Sequence, residues 1–130
     1  MQSRQAVHTE KAPAPLGGAP YSQAIISGDL VFASGQVPLD PATGALVDGG
    51  VSEQTEQVLR NVQFVLEEAG SGLDRVLKTT VFLTDLASFG AMNEVYARHF
   101  TAPYPARSTI EVSALPAGAA VEIECTAVRG

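Results

Sequence analysis

Between residues 53 and 69 the apolar positions recur every third or fourth residue. Val58, Val62, Val65 and Ala69 form one stripe, and Leu59 and Leu66 widen it, which is the spacing of a helix with one buried face. Ser52 is placed to cap this helix, Glu53 and Glu56 fall near its positive end, and Gly70 and Gly72 end it. The pattern then changes. Residues 74–83 contain VLKTTVFL, β-branched and apolar, which predicts a buried strand. Asp85 or Ser88 opens a second helix over roughly 86–100, with Phe89, Met92, Val95, Tyr96 and Phe100 as its core face. Pro103 and Pro105 forbid its continuation.

On either side of this helical centre the pattern alternates. Residues 22–27 and 30–37 are apolar runs split by Gly28-Asp29, which predicts a hairpin. A turn-rich connection, DPATGALVDGG, follows at 40–50. Strands at 107–114 and 121–128, joined by LPAG, predict a second hairpin. Residues 1–20 are rich in Pro, Ala and Gly and read as a short strand near 5–9 followed by an irregular loop.

The order β-β-α-β-α-β-β, with the arm added, predicts one α+β domain over 1–130. Its expected architecture is a mixed six-stranded sheet with both helices on one face. Strand alternation puts Ile110, Val112 and Ala114 on one side and Arg107, Thr109 and Glu111 on the other. It likewise separates Val121, Ile123, Cys125 and Ala127 from Glu122, Glu124 and Thr126. The helices are expected to cover the apolar sides. The second face then carries Lys78, Thr80, Glu122 and Glu124 beside Phe32 or Phe82, and is either solvated or a subunit interface enclosing a polar site.

Charge and composition narrow the chemistry. The formal net charge is −6, and the 8 Lys and Arg residues do not cluster, so the basic stripe that a nucleic-acid partner needs is missing. The lone cysteine, Cys125, forms no internal disulfide and supplies no cysteine metal site. His8 and His99 lie in unrelated segments, His99 at a helix C-terminus, and no metal-ligand spacing is present. No metal and no cofactor are expected. The N-terminal residues lack a signal-like apolar run and no stretch suits a bilayer, so a cytoplasmic location with no membrane partner is expected.

Two residues stand out. Arg107 opens a strand of small and apolar residues, and a guanidinium holds a carboxylate by two parallel hydrogen bonds. Glu122 lies on the other strand of the predicted hairpin, where pairing brings it to the same face as Arg107. From local sequence alone, a cross-strand salt bridge is the favoured reading of that pair. Ser34-Gly35 ends a strand without a histidine base nearby and reads as a turn rather than a nucleophile.

Larger segments add to this: HTEKAPAPLGGAPYSQA (8–24), FASGQVPLDPATG (32–44), EQTEQVLRNVQFVLEEAG (53–70), KTTVFLTDLASFGAMNEVYARHF (78–100), YPARSTIEVSALP (104–116) and VEIECTAV (121–128). Together they resemble the reactive intermediate deaminase family (Rid, also called YjgF) over nearly the whole chain. The resemblance implies a fold like the trimeric chorismate mutase. Three copies pack their sheets around an axis, helices outside, with sites between neighbours. It implies hydrolysis of reactive 2-imino acids, such as 2-iminopropanoate and 2-iminobutanoate, to 2-keto acids and ammonia. Under it, Arg107 binds the substrate carboxylate and Glu122 places or activates water. Tyr21, Ser34 and Gly35 line the pocket, and Asn93 and Phe89 lie near the cleft.

Two departures follow from the same resemblance. Thr109, beside the arginine, stands where the family often has cysteine, and LGGAPYSQ is two residues longer than the common LGPYSQ. Two rival functions stay open: a carboxylate-binding protein without turnover, and RNA cleavage or translational inhibition, which the acidic balance disfavours.

Overall fold

The computed structural model describes residues 3–130, so Met1 and Gln2, the start of the expected N-terminal arm, lie outside the described residues. The helical stripe becomes α1 (Val51–Glu68), with Val58, Leu59, Val62, Val65 and Leu66 all buried. Fully burying each of the two leucines stabilises the fold by roughly 1.5–3 kcal/mol. The helix starts one residue before Ser52. Gly50 is the capping residue, and its N–H donates to Glu53 Oε1 at 2.8 Å. The acid three residues into the helix, not a serine hydroxyl, satisfies the chain end.

The strands are β1 (Gln5–Val7), β2 (Ala24–Ser27), β3 (Leu30–Gln36), β4 (Val76–Leu83), β5 (Ala106–Glu111) and β6 (Val121–Val128). Gly28 turns β2 into β3 with φ 58°, a value that costs glycine little. The second helix is shorter than expected. A 3-10 turn, Leu86–Ser88, is capped by Asp85, whose Oδ1 accepts from Ala87 N at 2.9 Å, and α2 runs only over Phe89–Tyr96. Met92, Val95, Tyr96 and Phe100 are buried as expected, whereas Phe89 is exposed. His99 does not cap the helix end. Its Nε2 lies 2.9 Å from Glu56 Oε1 on α1 and so ties the two helices together. Among the described residues, no helix is long and apolar enough to cross a membrane.

The predicted C-terminal hairpin does not form. The sheet order is β1-β2-β3-β6-β4-β5, so β4 separates β5 from β6. β6 runs antiparallel to both β3 and β4, and β5 pairs with β4 in parallel. The connection β3–α1–β4 therefore joins two strands of like direction with one place left between them, and the chain's last strand fills that place. A two-residue turn could have made a hairpin, but β5 and β6 are separated by nine residues around a 3-10 turn at Pro116–Gly118. That length allows β6 to pass beyond β4.

Register then decides the faces. Cys125, Thr79 and Arg107 lie in one row across β6, β4 and β5, as do Ile123, Val81 and Thr109. These rows carry the buried residues that pack on both helices. The opposite face carries Glu122, Phe82 and Ile110 in one row and Phe32, Thr126, Lys78 and Ala106 in another. Thus the apolar side of β5 was assigned to the wrong face: Ile110 is 44 % exposed, and Arg107 and Thr109 turn toward α2. Cys125, expected opposite Arg107, shares its face, and burial, then the charge of Glu124, pushes its thiol up to about 12. Both Phe32 and Phe82, not one of them, lie on the open face.

Buried polar side chains fasten the loops to this frame. Asn61 Nδ2 donates to Val37 O at 3.1 Å and to Leu39 O at 3.0 Å, fixing the exit of β3 against α1. Gln23, at the foot of β2, accepts from Thr9 N at 2.7 Å through Oε1. Its Nε2 faces the carbonyls of Thr9, Ala12 and Pro13 at 3.0, 3.3 and 2.9 Å. Replacing it with leucine strands buried backbone groups, at a cost of roughly 1–3 kcal/mol for each left unpaired. Gln23→Leu is expected to lower the denaturation midpoint and to speed hydrogen exchange at the Thr9 amide. Unchanged exchange at Thr9 would contradict the clamp.

Candidate functional site

The expected site residues fall into two clefts on opposite faces of the sheet. The first lies at the β5 edge, beside α2. Arg107 is the second residue of β5, paired with Thr79, and its guanidinium carbon sits 4.8 Å from the Tyr96 ring centroid and 5.5 Å from that of Phe89. Helical spacing explains this seat: Phe89 and Tyr96 are seven residues apart, two turns of α2, with Asn93 between them. Among the described residues, Arg107 takes part in none of the ion pairs. Asn93 Oδ1 is buried without a hydrogen-bond partner. Asn93, Tyr96, Tyr104, Pro105 and Arg107 line a cleft of about 450 Å³. Burial raises the Tyr96 phenol above its ordinary value, while its hydrogen bond to Thr79 pulls the other way. An unpaired cation beside an unpartnered acceptor suits a small anion that also carries an N–H or O–H.

The second cleft, about 520 Å³, opens on the other side and is lined by Tyr21, Ser34, Gly35, Glu122 and Glu124, with Leu16 and Pro116 at its margin. A bulge builds it. Ala33 pairs with Cys125 and Gln36 with Ile123, so Ser34 and Gly35 together face one residue of β6. The displaced backbone leaves room for Glu122: a methyl group on Gly35 would overlap Glu122 Oε2 and come within 2.8 Å of its Cδ. Burial, then repulsion from Glu124, raises the Glu122 carboxyl above its ordinary value. Ser34 Oγ donates to Ser22 O at 2.6 Å and is thereby occupied, and Ser34 and Gly35 form a bulge inside β3 rather than the expected strand-end turn. Tyr21 Oη accepts from Leu16 N at 2.8 Å, so the lengthened loop folds back on the tyrosine and leaves its own O–H free to donate.

Similarity to known proteins identifies the family. The family model described as Endoribonuclease L-PSP matches residues 9–129. The chain belongs to this family, also called Rid or YjgF. It is 47 % identical over 127 residues to the RutC family protein PYRAB12510 of Pyrococcus abyssi, covering 98 % of each chain. It is also 47 % identical over 127 residues to the 2-iminobutanoate/2-iminopropanoate deaminase of Mus musculus, covering 98 % of this chain and 93 % of that one. Among solved structures, E. coli TdcF with bound serine superposes with a TM-score of 0.89 at 39 % identity, covering 97 % of this chain and 99 % of that one.

Within this Rid fold, the structure gathers Arg107, Asn93, Phe89 and Thr109 on the helix side, and Tyr21, Ser34, Gly35 and Glu122 on the open side. It does not bring Arg107 and Glu122 together. They lie on opposite faces with β4 between their strands, and Glu122 pairs with Phe82, three residues along β4 from the partner of Arg107. The same-face expectation assumed a hairpin that β4 interrupts. Tyr96 and Tyr104 join the Arg107 cleft although the sequence marked neither as a site residue. The spacing of Tyr96 from Phe89 was the available signal, but it was read only as core.

Gly35→Ala tests the second cleft. The methyl group is expected to drive the Glu122 carboxyl into water, so its pKa falls toward the ordinary glutamate value, read by carbon-13 NMR titration. A carboxyl that titrates as in the parent protein would show that Gly35 does not shape it.

Proposed function

We propose that this protein hydrolyses reactive 2-imino acids, such as 2-iminopropanoate and 2-iminobutanoate, to 2-keto acids and ammonia, in sites completed between copies of the chain. One observation carries the reading: two half-sites of complementary chemistry, an unpaired Arg107 cleft and a Glu122 cleft, lie on opposite faces of one sheet. Neither is sufficient alone, because an arginine binds without moving protons and a glutamate moves protons without orienting a substrate. The open face supports association. Phe32 and Ile110 are exposed there in a sheet whose other side is already covered, and such apolar surface marks an interaction site. A homotrimer of the chorismate-mutase type, sheets inward, sets the Arg107 cleft of one copy against the Glu122 cleft of the next.

In that arrangement Arg107 holds the carboxylate in two parallel hydrogen bonds, which fixes C2 of the imine. Asn93 lines the same cleft. The Glu122 carboxylate takes a proton from water as the oxygen adds to C2, giving a carbinolamine. Returned to the imine nitrogen, that proton completes the amino group; the same carboxylate then carries the carbinolamine hydroxyl proton to nitrogen, so that the C–N bond breaks, ammonia leaves and the C2 oxygen becomes the keto group. Tyr21, with its O–H free, and the Ser34–Gly35 bulge shape the pocket, and Thr109 supplies backbone beside Arg107. Every step uses side chains and water, and no cofactor is called on. A relative named as an imine deaminase and a solved neighbour holding serine, itself a small amino acid, both support this substrate class. The net charge of −6 weighs against a polyanionic RNA substrate.

The test generates 2-iminopropanoate and 2-iminobutanoate in situ with an amino-acid oxidase and follows ammonia release. The wild type is expected to accelerate release, and Arg107→Ala to lose that acceleration by about 100-fold or more, since carboxylate orientation supplies the effect. Binding of 2-oxobutanoate without any acceleration would instead support a carboxylate-binding protein. Full activity in Arg107→Ala would remove the arginine from the site.

A further inference from the structure

A guanidinium on a long side chain has many rotamers, and holding a carboxylate in one orientation requires most of them to be excluded. Arg107 is restricted from two directions at once. The rings of Phe89 and Tyr96 face its guanidinium carbon at 5.5 and 4.8 Å. The Tyr96 ring is itself fixed, because its hydroxyl lies 2.7 Å from Thr79 Oγ1 in a buried hydrogen bond and its face packs on Phe100 at 4.5 Å between centroids. Thr79 is the β4 residue that pairs with Arg107. The contacts therefore close a loop: backbone of Arg107, Thr79, Tyr96 and back to the guanidinium of Arg107.

We propose that Tyr96 and Thr79 are positioning residues which, with Phe89, set the orientation of the Arg107 guanidinium for two-point capture of a substrate carboxylate. The proposal rests on the reading of the Arg107 cleft as a carboxylate site and adds what prepares it. The chemistry of the seat decides the matter. A carboxylate side chain would also hold an arginine in place, but it would occupy the in-plane N–H groups that a substrate needs. Aromatic rings attract the cation through their π faces, and although the Tyr96 hydroxyl also draws a hydrogen bond from the guanidinium, no carboxylate of the described residues closes the fork. Arg107 enters none of the ion pairs among the described residues, in keeping with this division of labour. Thr79 supplies the second half of the device. Without its hydroxyl the buried phenol of Tyr96 loses its partner and the ring is free to tilt.

The experiment measures binding of 2-oxobutanoate and of its neutral amide, 2-oxobutanamide, by NMR titration of the full-length protein. The ratio of the two affinities reports how well the guanidinium grips the charge. Wild type is expected to favour the anion. Tyr96→Leu is expected to cut the ratio about tenfold, within the range of a cation–π contact, and Tyr96→Phe to keep more of it than leucine does. Phe89→Leu, at an exposed position that the core does not need, is expected to cut it about threefold. Thr79→Val is expected to lower the ratio and Thr79→Ser to retain it. A purely structural role weakens both ligands alike and leaves the ratio unmoved. Wild-type ratios in both Phe89→Leu and Thr79→Val would overturn the proposal. A wild type that binds the anion no better than the amide would overturn the carboxylate reading, and this one with it.

Discussion

The place of β6 between β3 and β4 is the constraint from which the rest of the molecule follows. α1 carries the chain from β3 to a parallel β4 and leaves one position open, which only an antiparallel strand arriving from the other end can fill. Once β6 is there, its Val121, Ile123, Cys125 and Ala127 complete the core against the helices, and Glu122 and Glu124 are turned to the far side. β5 is left at the sheet edge, paired on one side only, with Arg107 facing α2. The separation of arginine from glutamate is thus a consequence of strand order.

That separation gives each group a suitable environment. Side by side in a partly buried cleft, Arg107 and Glu122 would neutralise each other. The pair would then resist both the carboxylate that needs a free guanidinium and the proton transfers that need a carboxyl of raised pKa. Kept apart, Arg107 rests on aromatic faces with no carboxylate partner among the described residues, and Glu122 is raised by burial and by Glu124. The bulge at Ser34–Gly35 and the absence of a side chain on Gly35 make space for that carboxyl. The proposed chemistry needs both states at one substrate, and in the proposed assembly association of copies would bring the opposite faces together.

Most secondary structure was legible from the chain, because helix and strand are written in local periodicity. The stripe from Val58 to Ala69 and the β-branched run ending at Leu83 became α1 and β4. Strand partnership was not legible in the same way. Nothing local distinguishes a β5–β6 hairpin from a β6 that passes beyond β4, and taking Ile110 to mark the covered side of β5 put Ile110 and Arg107 on the wrong faces, whereas Cys125 lies on the covered side as expected. The buried polar face of α1 was also missed. Gln54, Thr55 and Asn61 interrupt the apolar stripe because they bind backbone at loops and helix turns, a need that periodicity does not reveal. Arg107 and Glu122 stand out in the local sequence, the other expected site residues come through family resemblance, and the part played by Tyr96 and Tyr104 and the division into two clefts came only with the structure.

The central claim, that one working site takes its arginine and its glutamate from different copies, is open to a direct measurement. Arg107→Ala and Glu122→Gln are each purified, mixed, dissociated and reassembled together, and imine-dependent ammonia release is compared with that of each variant treated alone. Sites shared between copies predict recovery to about a quarter of wild-type activity, the fraction of interfaces in a randomly mixed closed ring that pair two intact halves. A mixture no more active than its parents, with exchange of subunits confirmed by mass, would place the whole site within one copy and contradict the account.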